Sequence, residues 1–193
     1  MKFFNFLFKK KNQEKRKKKL LEELNLFIEQ IKAKKAIEPI KTEILLKEGE
    51  KAFLKEDTTL LETKAVRYHK TKAIGVRIIP GVYIGFAPGR SESKEEWRIV
   101  DRGVIILTDQ RLIFDGSKED RVIPLKKIIS IKPSLDSIEI STENRKKSML
   151  FNVNNPFIWA TLIQILVKCG DLEKIEDLKV DIESYKKIYN QNL

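Results

Sequence analysis

Residues 101–116, DRGVIILTDQRLIFDG, constrain the fold of this chain more than any other stretch. Val104, Ile105, Ile106, Leu107 and Thr108 form a dense β-branched and aliphatic run, Asp109 and Gln110 interrupt it, and Arg111, Leu112, Ile113 and Phe114 resume it before Asp115-Gly116. This pattern predicts a β-hairpin, because branched side chains fit a pleated surface while Asp and Gly favour turns. Residues 121–124 (RVIP), 127–131 (KIISI), 137–141 (SIEIS) and 148–153 (SMLFNV) continue in the same style, separated by charged or turn-forming residues at 117–120, 133–134 and 143–147. Short strands so closely spaced predict an antiparallel meander. Asn155-Pro156 then opens a helix: the Asn side chain can accept an otherwise orphaned amide, and Pro at the first helical position has no N–H to leave unpaired. Phe157, Ile158, Trp159, Leu162, Ile163, Ile165, Leu166 and Val167 make both faces of that helix apolar, so it is expected to be buried.

Two further helices are expected to flank this body. In residues 13–37, Leu20, Leu24, Phe27 and Ile31 fall at steps of four, three and four, Leu21 and Ile28 widen the stripe, and Glu38-Pro39 ends the pattern. About two heptads are too few to define a coiled coil, so docking on the body is the expected fate of this seam. Over residues 171–191, Asp171 is the expected cap after Gly170, and Leu172, Ile175, Leu178, Ile182, Tyr185 and Tyr189 share one face. Residues 58–68 and 74–86 read as early strands with Pro80-Gly81 as a turn, and residues 87–96 read as a polar loop. Gly81, Gly85 and Gly89 recur every four residues, but no Gly-Lys-Ser/Thr follows, so they predict turns or bulges rather than a phosphate-cradling loop.

The wording GVIILTDQRLIF followed by VIPLKKIISI resembles the bacterial GRAM-like branch of the pleckstrin-homology (PH) superfamily. Gly103, Leu107, Thr108, Arg111, Leu112, Ile113 and Phe114 carry the resemblance, with Pro124, Leu125, Ile128, Ile131 and Trp159, and it spans residues 47–169. It implies an α+β fold: seven strands in a bent, partly open antiparallel barrel whose mouth is plugged by the C-terminal helix. PH-like barrels bind inositol lipids, peptides or other proteins, and many bacterial members have no assigned role, so the resemblance implies a fold more than a function.

Charge is distributed unevenly. The chain of 193 residues carries a formal +11, and residues 1–19 hold nine Lys or Arg against the single acid Glu14, so one end supplies +8 of the total. Such asymmetry marks an interaction tail. Ahead of the cationic run of Lys9, Lys10, Lys11, Lys15, Arg16, Lys17, Lys18 and Lys19 stand Phe3, Phe4, Phe6, Leu7 and Phe8. This apolar block is too short for a secretory signal, lacks a small-residue cleavage site and precedes the main positive cluster, so export is not expected. Lys2 argues against myristoylation and the final Asn190-Gln191-Asn192-Leu193 against prenylation. Aromatic rings that enter a headgroup boundary beside cations worth about 1 kcal/mol each at an anionic leaflet would suffice for reversible, salt-sensitive attachment. Two other readings stay open: Phe3 to Phe8 packing on the body with the lysines as a solvated helix face, and contact with nucleic acid. The second is disfavoured, because Arg16 is the one arginine in the tail and the rings are not interleaved with cations.

Signals for catalysis are weak. His69 is the single histidine and Cys169 the single cysteine, which gives no metal quartet and no nucleophile–base pair, so neither an enzyme nor a cofactor is expected. Cys169 is expected as a small buried hydrophobe and His69 as a solvent-facing residue. Should the barrel bind an anionic group, Arg145, Lys146 and Lys147 are the candidate donors, with Lys126 and Lys127. Inositol-phosphate-binding PH-like domains gather basic residues between early strands, whereas this cluster comes late, which argues against specific phosphoinositide recognition. No apolar run approaches the roughly 18 residues that span a bilayer. The expectation is therefore a cytoplasmic binding module, held peripherally on an anionic inner membrane face by its N-terminal segment. The alternative is a protein-interaction scaffold with an unknown protein partner.

Overall fold

A computed structural model describes the backbone of residues 2–34, 36–70, 74–79, 82–86, 90–143, 145 and 147–169, and the side chains of residues 11–34, 36–64, 96–143, 145 and 147–167. The elements run α1 (Lys2–Lys34), β1 (Ala52–Lys70), β2 (Ile74–Ile79), β3 (Val82–Phe86), β4 (Arg90–Thr108), β5 (Arg111–Gly116), β6 (Arg121–Pro124), a 3-10 turn (Leu125–Lys127), β7 (Ile128–Pro133), β8 (Ser137–Thr142), β9 (Met149–Asn152) and α2 (Pro156–Cys169). Seven strands form one antiparallel sheet in the order β6-β5-β4-β1-β9-β8-β7, while β2 and β3 form a separate two-stranded sheet. The edge strands β6 and β7 are consecutive in the chain and joined by three residues, too short a link to cross a flat seven-stranded sheet. The sheet must therefore curl until its edges approach, and it stays open because they do not pair.

The central hairpin forms as expected, with Ile105 opposite Phe114, Ile106 opposite Ile113 and Leu107 opposite Leu112. Its turn lacks Asn-Gly and is organised instead by Thr108, whose Oγ1 accepts the amides of Arg111 (2.9 Å) and Gln110 (3.2 Å). Alternation along these strands divides them between two layers. Ile105, Leu107, Leu112 and Phe114 enter the main core with Leu60, Ile138, Ile140 and Phe151, and Phe114 and Phe151 lie tilted with centroids 5.9 Å apart. Ile106 and Ile113 face the other way, where Ile44 and Leu46 from the segment before β1 cover them.

Helix α2 closes the inner face, contributing Trp159, Leu162, Ile163 and Leu166 to the core. Asn155 caps it as expected, its Oδ1 accepting the amides of Phe157 (3.2 Å) and Ile158 (3.3 Å).

Three sequence expectations need correction. The helix predicted over residues 13–37 begins at Lys2, so the aromatic and basic tail of residues 1–19 is continuous with it. No helix-breaking residue separates the two, and Lys, Glu, Leu and Gln are good helix formers. Residues 87–96 are not a loop throughout, because β4 starts at Arg90 and pairs out to Lys70. The early strand predicted over residues 58–68 spans Ala52–Lys70. The helix expected over residues 171–191 lies outside the described residues, as do the side chains of His69 and Cys169.

Candidate functional site

The seam of α1 docks on the body rather than remaining free. Leu20, Leu24 and Ile28 form a small core with Phe157 of α2, and Phe27 packs against the main core. Asn155 also holds this junction: its Nδ2 donates to the carbonyl of Leu20 (3.1 Å) and to Glu23 Oε2 (2.9 Å). One side chain thus caps α2 and fixes where α1 meets it.

Among the described side chains of α1, burial begins at Leu20. Between Lys11 and Lys19 every side chain is exposed except Lys17, which is half-buried. Lys18 and Lys19 lie 3.9 and 3.7 Å from Glu22 and Glu23, one turn along the same helix, and such exposed pairs contribute only about 0.3–0.5 kcal/mol each. The backbone is helical back to Lys2, so Phe3, Phe4, Phe6, Leu7, Phe8, Lys9 and Lys10 sit on the same rod as Lys11, Lys15, Arg16, Lys17, Lys18 and Lys19. From Lys2 to Lys19 that rod is about 27 Å long.

Backbone contact brings together the turns that carry the described candidate anion donors of the body. The amide of Glu143 donates to the carbonyl of Lys127 (3.1 Å), placing the 3-10 turn of Lys126 and Lys127 beside the turn that carries Arg145 and Lys147. Lys126 and Lys147 are exposed and Lys127 is half-buried, while Lys146 lies outside the described residues. Arg145 is committed elsewhere: its Nη2 donates to Glu62 Oε1 (3.0 Å) and its Nη1 lies 3.5 Å from Met149 Sδ. Arg121 reaches the same Glu62 oxygen through Nε and Nη2, both at 3.3 Å, and also pairs with Glu119. Glu62 on β1 thereby ties edge strand β6 to the β8–β9 turn. Sequence reasoning missed it, although Glu62 stands two residues beyond the buried Leu60, at the spacing that repeats a strand face.

Two further carboxylates, also missed, anchor loops. Glu50 follows Gly49, whose φ of 75° is a left-handed turn position suited to glycine. Its carboxylate is fully buried, accepts Arg111 Nε at 2.8 Å and Nη2 at 3.0 Å, and takes bonds from the Thr108 hydroxyl (2.7 Å) and the Lys47 amide (2.7 Å). Burial alone would raise its pKa, but Arg111, Lys47 and Thr108 together outweigh it and hold Glu50 below the usual carboxylate range. Asp101 accepts the amides of Lys118 (2.6 Å), Arg102 (2.8 Å) and Glu119 (3.0 Å) and the Ser117 hydroxyl (2.9 Å). The Lys118 amide is the largest of the effects that lower its pKa to about 2. Both groups are saturated with internal partners, which fits loop fastening better than chemistry on a substrate.

An open depression of about 680 Å³ has Glu56, Asp57 and Asp136 on its walls against Arg102 alone, the wrong sign for an anion. Glu56 is also engaged, accepting Trp159 Nε1 at 2.9 Å. No helix among the described residues is long and apolar enough to cross a membrane.

No family model and no curated protein matches the chain. Among solved structures, the C-terminal domain of an unknown protein from Leishmania infantum aligns at 14% identity and a TM-score of 0.35, covering 63% of this chain and 88% of that one.

Proposed function

We propose that this chain is a binding module that attaches peripherally to anionic membrane through residues 1–19, while the body presents a platform for a partner. The observation that carries this reading is the division of α1 at Leu20. Among the described side chains of the helix burial begins at Leu20, and residues 1–19 hold +8 of the formal +11 of the chain. A cationic rod with an aromatic end is the chemistry that an anionic interface retains.

The strand order supports the PH-like reading of the body. Setting β2–β3 aside, seven antiparallel strands curl into an open barrel, the last returns beside the first, and a terminal helix packs into the interior. The alternative reading is a protein scaffold that grips a partner through its amphipathic helices or a sheet edge; of these surfaces, the Leu24–Phe27 seam is occupied, because it packs within the chain itself.

Vesicle co-sedimentation tests the proposal. The intact chain is expected to pellet with vesicles of equal phosphatidylglycerol and phosphatidylcholine, to release as salt rises, and to lose pelleting when residues 1–19 are removed. Equal pelleting with neutral vesicles, or none with either, overturns it.

A further inference from the structure

The β2–β3 hairpin is an apolar stretch of sequence that stands outside the seven-stranded sheet. It sits at the far end of an arm: β1 and β4 stay paired out to Lys70 opposite Arg90, and the hairpin occupies the chain between those residues. It forms its own two-stranded sheet, hydrogen-bonded to neither edge of the larger one. The register sets Ile74 opposite Phe86 and Val76 opposite Ile84, so one face of the ribbon is apolar at four neighbouring positions, and Ile79 and Val82 pair near the turn. A two-stranded ribbon is marginal in water without a surface to pack on. Nearer the body, the same arm leaves Trp97 40% and Ile99 59% exposed.

Charge identifies the missing surface. The rungs from Arg67 opposite Ser93 outward to the tip contain Arg67, Lys70, Lys72, Arg77 and Arg90 against one acid, Glu92 opposite Tyr68. An apolar tip inside a collar with five cations and one acid is complementary to a bilayer with anionic headgroups, where apolar groups enter the boundary and cations stay among phosphates. A second copy would bring an identical positive collar and be repelled. We infer that the β2–β3 hairpin is a second membrane contact, entering the headgroup boundary of the anionic bilayer that the N-terminal helix also engages. The inference rests on the membrane reading above and adds to it an insertion element; two linked contacts would multiply their affinities.

The test uses the full chain with Cys169→Ser and Val82→Cys, labelled with an environment-sensitive fluorophore. With vesicles of equal phosphatidylglycerol and phosphatidylcholine, the emission is expected to shift blue and to be quenched by nitroxides on the acyl chains, and neither change should occur with phosphatidylcholine alone. The pair Ile79→Glu and Ile84→Glu is expected to weaken vesicle affinity at least about tenfold with an unchanged thermal midpoint, since both residues lie outside the seven-stranded sheet. Pelleting of the intact chain with no change in emission overturns the hairpin contact and leaves the N-terminal one standing. An emission shift without lipid that tracks a dimeric mass overturns it in favour of self-association. Absence of pelleting with either vesicle overturns both readings.

Discussion

Asp101 and Gly103 lie two residues apart on β4 and constrain the same corner by different means. Gly103 pairs with Gly116, and a Cβ at position 103 would overlap the carbonyl oxygen of Asp115 and lie 2.6 Å from the Gly116 Cα. The obstruction is backbone, which cannot rotate away, so Gly103→Ala is expected to destabilise by about 3 kcal/mol in urea titration, the upper end for overpacking. Asp101 fastens residues 117–119 onto the strand and ionises at about 2, below the roughly 3.9 of an unfolded chain. A lowered folded pKa contributes stability that is fully present above the unfolded value and lost as pH falls toward the folded one. The stability gap between the native chain and Asp101→Asn is therefore expected to be constant above about pH 5 and to narrow between about pH 4 and pH 2. Glu50 shifts in the same direction. Replacing it by Gln leaves the Arg111 guanidinium, 17% exposed, without its counter-charge, an expected loss of about 2–3 kcal/mol in the same titration.

At the scale of elements, α1 is held by a short seam, and Leu24 at its centre is fully buried. Leu24→Ala is expected to cost about 2–4 kcal/mol, and hydrogen exchange should show α1 opening before the sheet. This seam was legible in the sequence because burial on one face imposes a helical period on Leu20, Leu24, Phe27 and Ile31. The hairpin at residues 104–114 was legible because its strands bury both faces, one on the core and one beneath Ile44 and Leu46, leaving an unbroken apolar run. The Asn155 cap was legible because its chemistry is local. The distal half of β4 was not: RSESKEE is polar at every position, so it carries no apolar alternation to mark a strand. The start of α1 was hidden for the opposite reason, since lysine and leucine continue a helix without marking where docking begins. The Glu62 bridge to Arg121 and Arg145 spans 59 and 83 residues of sequence, and no local pattern announces contacts of that range.

For the whole molecule, the decisive question is whether the cationic half of α1 belongs to the folded body or only to its partner. Among the described side chains the buried seam begins at Leu20, and Lys18 and Lys19 add two exposed pairs with Glu22 and Glu23. Those pairs together are worth less than about 1 kcal/mol. Removing residues 1–19 is therefore expected to change the unfolding free energy in guanidinium by less than about 1 kcal/mol. Replacing Lys11, Lys15, Lys18 and Lys19 by Gln should likewise spare stability, but weaken binding to anionic vesicles by about 1 kcal/mol per charge, roughly five-fold for each lysine that reaches the surface. The two measurements separate the readings of this segment. A helix face that merely solvates the fold would lose neither stability nor vesicle binding, whereas one packed on the body would lose stability by several kcal/mol. Only a segment reserved for an external anionic surface loses binding and keeps its fold.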